Sequence, residues 1–156
     1  MVGRAGNNLI IELGNEYRIE LTTSPDPADV QTVREGLDAY NAAQGAPVDW
    51  VPLMIFLRDK QGKVVGGLTG GTYWGWLYIG RLWIIDYLRG QAYGSLLLGE
   101  AEQEALRRGC HHAYLDTQDF QALPFYEKHG YNMYGKLKDM PPGHTRFSLE
   151  KKLEPG

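Results

Sequence analysis

The stretch Leu82–Leu98, LWIIDYLRGQAYGSLLL, passes from one kind of secondary structure to another within a single turn. Leu82 to Ile85 is a short apolar run of the kind that forms a buried strand. Asp86 interrupts it. Gly90 and Gly94 then bracket Gln91, Ala92 and Tyr93, and a helix-like run begins. A strand that feeds such a turn into a helix start presents unpaired N–H groups and partial positive charge, which together make an anion site. Gly90 and Gly94 would let the backbone come close to a phosphate. Arg89 adds a full charge and Ser95 a hydroxyl. An ordinary strand–helix turn would carry the same glycines for geometry alone, so the turn does not identify its own ligand.

The elements on either side set its context. AYGSLLLGEAEQEALRRG reads as an amphipathic helix that ends at Gly109, with Arg107 and Arg108 in its last turn. HHAYLDT reads as the next strand, QALPFYEKHG as a short helix closed by Gly130, and YNMYGKL and TRFSLEKKL as strands separated by the turn DMPPGH. Upstream, WVPLMIFLRD, VVGGLTGGTYW and WLYIGRLWIID read as three adjacent antiparallel strands, with KQGK as the first turn. The glycines of the second suggest a bulge or a close neighbour. SPDPADV starts a helix, in which Val30, Val33, Leu37 and Tyr40 recur at helical spacing before NAAQGAP. NNLIIEL and EYRIELTTS read as two short strands around Gly14. The order predicts one α/β domain over residues 1–156, a mixed sheet with helices on both faces.

Composition bounds the function. The 156 residues are 43% hydrophobic and 22% charged, with a net charge of −3 and a pI of about 5.8. Such a balance argues against nucleic-acid binding by bulk electrostatics. No apolar run approaches the roughly 18 residues of a membrane span, and MVGRAGNN lacks the apolar core of a signal peptide. A cytoplasmic protein is expected. Cys110 is the only cysteine. It reads as a small buried residue at a strand start, with no activating partner to make it a nucleophile. His111, His112 and His129 show no converging ligand pattern, so no metal is expected.

The turn lacks the Gly-Lys-Ser/Thr of a Walker A loop and the third glycine of a dinucleotide fold. RGQAYG instead resembles the Arg/Gln-x-x-Gly-x-Gly/Ala turn of the GNAT superfamily of N-acetyltransferases. Downstream, ALPFYEKHGY, Ala122 to Tyr131, matches the A-x-x-F-Y-x-K-x-G-[FY] helix of that superfamily. The resemblance covers Trp76 to the C-terminus; the N-terminal third fits in element order. It implies a mostly antiparallel sheet with a central splayed parallel strand pair.

It also implies a site. The backbones of Trp83, Ile84 and Ile85 would pair with the pantetheine of acetyl-coenzyme A, and the Ile84 N–H would polarise the acetyl carbonyl. Arg89, Gly90, Gln91, Ala92, Tyr93, Gly94 and Ser95 would hold the pyrophosphate. Tyr126 matches the tyrosine that protonates the leaving thiolate, a role that suits a phenol. Asp119 stands where relatives touch the coenzyme through an asparagine. Ala92 replaces the first glycine of the pair, which is unstrained if its φ is negative, and a negative φ is expected. The superfamily's carboxylate base is missing: Gly80 and Arg81 stand in its place, leaving Asp86, Asp116 or a water-mediated route.

The implied reaction is acetyl transfer from acetyl-coenzyme A to a primary amine, on a small molecule or a protein, by direct attack in a ternary complex. The alternative is a coenzyme A-binding sensor or interaction domain of the same fold without turnover. His144 follows DMPPG on the acceptor side. Tyr40, Trp50, Tyr73, Trp74, Trp76 and Tyr78 could line a cleft for an amine, since aromatic rings attract cations, or could simply pack. The apolar run TYWGWLY suggests a strand covered by another surface, a homodimer partner among the candidates.

Overall fold

A computed structural model describes residues 2–5, 8–13 and 16–155. They fall into two compact units, divided between Pro47 and Val48. The first holds an antiparallel sheet of β1 (Val2–Ala5), β2 (Asn8–Leu13) and β3 (Tyr17–Leu21), followed by the helix α1 (Pro27–Ala43). The two expected strands are β2 and β3; β1 is an addition that its glycine-bearing, charged sequence does not suggest. Gly14, expected between β2 and β3, lies outside the described residues. Asp26 caps α1, its carboxylate accepting from the Ala28 N–H at 2.8 Å.

The second unit is a six-stranded sheet with two helices. Its strands are β4 (Val51–Arg58), β5 (Val64–Tyr73), β6 (Trp76–Ile84), β7 (His112–Gln118), β8 (Asn132–Lys138) and β9 (Thr145–Lys152), in spatial order β4-β5-β6-β7-β9-β8. The helices are α2 (Tyr93–Arg107) and α3 (Leu123–Lys128). β4, β5 and β6 form the expected meander, and β8 and β9 form a hairpin. The one parallel contact among described strands joins β6 to β7. β9 inserts between β7 and β8, so the last strand lies inside the sheet rather than at its edge.

Period-2 alternation places the core. Ala113, Leu115 and Thr117 of β7 are buried, as are Leu77 and Ile79 of β6. Leu97, Leu98, Ala101 and Ala105 of α2 recur at helical spacing and pack into the same cluster, with Leu53, Leu68, Leu149 and Tyr126 of α3. Each fully buried leucine stabilises the unit by about 2 kcal/mol. The helix is anchored at its far end by Arg108, which donates to the Pro52 carbonyl at 3.1 Å and pairs with Glu104 at 2.8 Å. Cys110 is buried beside it, and burial pushes its thiol up from the ordinary value, away from the thiolate a nucleophile needs.

One irregularity opens this sheet. Thr69 faces Arg81, but Gly70 faces Ile79, so Gly80 is an extra residue in β6. The parallel pairing with β7 runs from Trp76↔His112 to Ile79↔Leu115 and stops there. Past Gly80, β6 remains bound to β5 and separates from β7.

Candidate active site

The gap between β6 and β7 has a defined set of donors. The Ile85 N–H donates to the Val65 carbonyl at 2.9 Å. Antiparallel ladders alternate, so Trp83 turns its main-chain groups to β5 like Ile85, while Leu82 and Ile84 turn theirs to the side that β7 has left. Of the three residues expected to meet a ligand through their backbones, Ile84 is therefore the one whose N–H faces the gap. Ile85 is committed to β5, and Leu82, not singled out from sequence, stands beside Ile84.

Beyond Ile85 the chain makes a short 3-10 turn, Asp86–Leu88. Asp86 is a turn residue: its carboxylate pairs with Arg89 at 2.8 Å and is highly exposed. The Arg89 guanidinium also donates to the Ile84 carbonyl at 3.0 Å, tying the turn to the strand end. Gln91 closes the turn by donating to the Tyr87 carbonyl at 3.0 Å. Gly90 has φ +76°, and Ala92 has φ +66°. The expected negative φ at Ala92 is thus corrected. Ala92 is the residue at which the chain reverses into α2, and its carbonyl accepts the first helical bond, from the Leu96 N–H at 3.0 Å. A left-handed alanine costs about 1–2 kcal/mol. It also offers no capping oxygen, and the first turn of α2 holds no acid. Where Asp26 satisfies α1 internally, the first N–H groups of α2 are left for an outside acceptor.

Two cavities meet here. One, of about 490 Å³, runs along the turn and is lined by Arg89, Gly90, Ala92, Tyr93, Gly94 and Ser95, with Phe125 and Lys128 from α3. The other, of about 400 Å³, is the gap itself, lined by Gly80, Arg81 and Trp83 on one side and Asp116, Thr117 and Gln121 on the other. Leu82, Ala122 and Tyr126 line both. Phe125 lies 3.5 Å from where a Cβ on Gly94 would stand, an ordinary van der Waals contact, so α3 packs beside the start of α2.

Tyr126 stands at the junction. Burial pushes its hydroxyl up to about 12, so it stays protonated at neutral pH. Asp116, on the opposite face of β7 from the core, receives the Arg146 guanidinium and the Ser148 hydroxyl, each at 2.6 Å. Burial raises its pKa, but those two bonds outweigh it and hold the carboxyl below the usual range. Asp119 lines neither cavity. Its oxygens accept from the Thr145 N–H and from His144 Nδ1, each at 2.9 Å, and these bonds hold it ionised. Asp119 and His144 therefore pin the end of β7 to the start of β9. His112 stacks on Trp76 at 4.6 Å, and His129 bonds the Phe125 carbonyl at 2.7 Å.

Leu82, Ala122, Gln121 and Lys128 were not foreseen as lining residues. All four lie in the stretches LWIIDYLRG and QALPFYEKHG, but only the splay of β6 from β7 brings those stretches to common cavities.

Comparison with known proteins places the chain among acetyltransferases. Residues 15–131 match the family model for the acetyltransferase (GNAT) family. The acetyltransferase Atu2258 of Agrobacterium fabrum is 39% identical over 131 residues, covering 82% of this chain and 96% of that protein. The blasticidin-S acetyltransferase of Streptomyces morookaense is 36% identical over 130 residues, covering 80% and 96%. The crystal structure of an acetyltransferase from Bacillus cereus superposes with a TM-score of 0.76 at 32% identity, covering 85% of this chain and 97% of that one.

Proposed function

This chain belongs to the acetyltransferase (GNAT) family, and from that premise we propose that it moves an acetyl group from acetyl-coenzyme A to a primary amine by direct attack in a ternary complex. The observation that carries the proposal is the meeting of the two cavities at Tyr126. One ends on an uncapped helix start suited to a pyrophosphate and also takes in Ile84; with Leu82, which lines both, it offers free main chain to an extended amide-bearing arm. The residues present therefore fit the coenzyme: Arg89 to Ser95 would hold its phosphates, and Leu82 and Ile84 would pair with its pantetheine.

Bound acetyl-coenzyme A supplies an activated acetyl thioester. The Ile84 N–H is a preorganised donor for negative charge developing on a carbonyl oxygen in the gap. The Tyr126 hydroxyl is a proton source for a departing thiolate at the cavity junction. Asp116, ionised and already matched by Arg146 and Ser148, leaves the proton of an incoming ammonium group to depart through water before the neutral amine attacks. The low pKa of Asp116 makes it a poor proton acceptor. The relative named for blasticidin S favours a small-molecule acceptor over a protein.

Thermal unfolding with and without acetyl-coenzyme A, followed by thiol release over an amine panel, tests this. A ligand at one hundred times its Kd stabilises the native state by about 2.7 kcal/mol. A clear rise in Tm and thiol release with at least one amine are expected. No rise at millimolar coenzyme would refute the donor, and a rise with no turnover on any amine would favour a coenzyme-binding domain without catalysis.

A further inference from the structure

The sheet face opposite α2 carries a second recess that the acetyl-transfer reading does not use. It has a volume of about 320 Å³ and is lined by Tyr73, Trp74, Trp76, Tyr114, Tyr134 and Glu150. These residues come from β5, β6, β7, β8, β9 and the β5–β6 turn, and the pairings Tyr73↔Trp76 and Tyr114↔Glu150 put them side by side. The rings meet mostly edge to face: Tyr73 and Tyr114 at 6.4 Å and 69°, Trp76 and Tyr114 at 6.1 Å and 72°. The Tyr73 and Tyr114 hydroxyls are hydrogen-bonded to each other, which fixes both rings.

Two features separate this recess from ordinary aromatic packing. Among the described residues, the Glu150 carboxylate has no ion-pair or hydrogen-bond partner, whereas Asp116 on the same face is matched by Arg146. An unmatched carboxylate beside ring faces attracts a cation by both charge and quadrupole. Second, Trp74 is held at φ +47° in a two-residue hairpin turn with Gly75 at φ +76°. That first position ordinarily takes Asn, Asp or Gly, and a bulky residue there is strained. The Trp74 N–H donates to the Asp49 carboxylate at 2.7 Å, which holds the turn in place. The strain sets an indole on the rim of the recess, where a small turn residue would leave it open.

The recess adjoins the transfer site. Tyr114 lies 5.1 Å from Tyr78 and two residues before Asp116 on β7, on the same face. Two residues of strand span about 7 Å. Resting on the acetyl-transfer reading, we propose that this recess is an aromatic cage for an organic cation, a guanidinium or alkylated ammonium group. That cation is the remote end of the acceptor, whose primary amine reaches past Asp116 into the gap. The acceptor is thus a small molecule with two cationic groups separated by a short linker.

The test compares 4-aminobutylguanidine with its uncharged isostere N-(4-aminobutyl)urea in the thiol-release assay at saturating acetyl-coenzyme A. The guanidine is expected to have a kcat/KM at least tenfold higher. Glu150→Gln should lower that ratio at least fivefold. Trp74→Gly should do the same while relieving the turn, so loss of folding does not confound it. Equal kcat/KM for the two amines, or a ratio unmoved by both substitutions, would overturn the cage and leave acetyl transfer standing. Should neither amine be acetylated, tryptophan fluorescence decides on the cage alone. Quenching by the guanidine, absent with the urea and weakened in Glu150→Gln, supports it; identical responses to the two compounds overturn it.

Discussion

Exchanging the residue types at the two left-handed positions of the turn tests its backbone from both directions. Gly90 and Ala92 have φ +76° and +66°. A side chain there costs about 1–2 kcal/mol, because its Cβ crowds the following carbonyl oxygen. Glycine escapes that cost but gives the unfolded chain more freedom, which takes back about 0.4–1 kcal/mol. The balance makes Ala92→Gly more stable by about 0.5–1 kcal/mol, and Gly90→Ala less stable by a similar amount. A Cβ at Gly90 meets nothing within 4 Å, so that substitution reports backbone conformation alone. For a unit of roughly one hundred residues the expected changes in Tm are about 2–6 °C, in opposite directions. Thermal and urea unfolding measure them, with an unchanged m-value as the sign that only stability moved. Both N–H groups survive in Ala92→Gly, so acetyl-coenzyme A should raise the Tm of this variant as much as that of the parent. If both substitutions shift Tm the same way, or if Ala92→Gly destabilises, Ala92 is not left-handed and the reasoning fails.

Other outcomes follow from the same geometry. Tyr126→Phe should lower kcat by about 10²-fold, the low end for loss of a general acid, while the rise in Tm with acetyl-coenzyme A is retained. An unchanged kcat would remove the proton-donor role. Asp116 has a folded pKa below its unfolded one, so the stability it lends is present above about pH 4 and disappears as pH falls through the folded value. Asp116→Asn should therefore be less stable than the parent at neutral pH and approach it in acid, measured as Tm against pH; a constant difference would rule this out. Glu102 accepts from the buried Tyr131 hydroxyl at 3.0 Å and from Lys151 at 2.7 Å. Glu102→Ala strands both donors and should cost about 2–4 kcal/mol in urea unfolding; a loss below 1 kcal/mol would mean that water replaces the carboxylate.

Much of this protein is local enough to read directly. Strands announce themselves by alternation, helices by the spacing of Leu97, Leu98, Ala101 and Ala105, and the helix starts by SPDPADV and AYGSLLL. The two motifs RGQAYG and ALPFYEKHGY carry the family resemblance because each is a contiguous piece of backbone with a fixed shape. Contiguity also marks the limit. The φ of Ala92 depends on how Asp86, Arg89 and Gln91 brace the turn, and the sequence allowed either sign. Which N–H groups face the gap depends on the bulge at Gly80 and on where the β6–β7 pairing stops, and both are matters of register. Asp119 lies next to its strand but is committed to His144 and Thr145, far along the chain.

The aromatic recess is the extreme case. Tyr73, Trp74 and Trp76 lie together in TYWGWLY and read either as a cleft for an amine or as packing, but nothing in the sequence joins them to Tyr114 and Glu150. They become one site because β9 inserts beside β7 and brings Glu150 opposite Tyr114. The sequence by itself determined the strands other than β1, the helices, their order and the family, since these rest on propensities and motifs within a few residues of each other. Only the tertiary structure decided which backbone groups are free, which carboxylates are neutralised and which rings surround a common space, because those depend on pairings between distant strands.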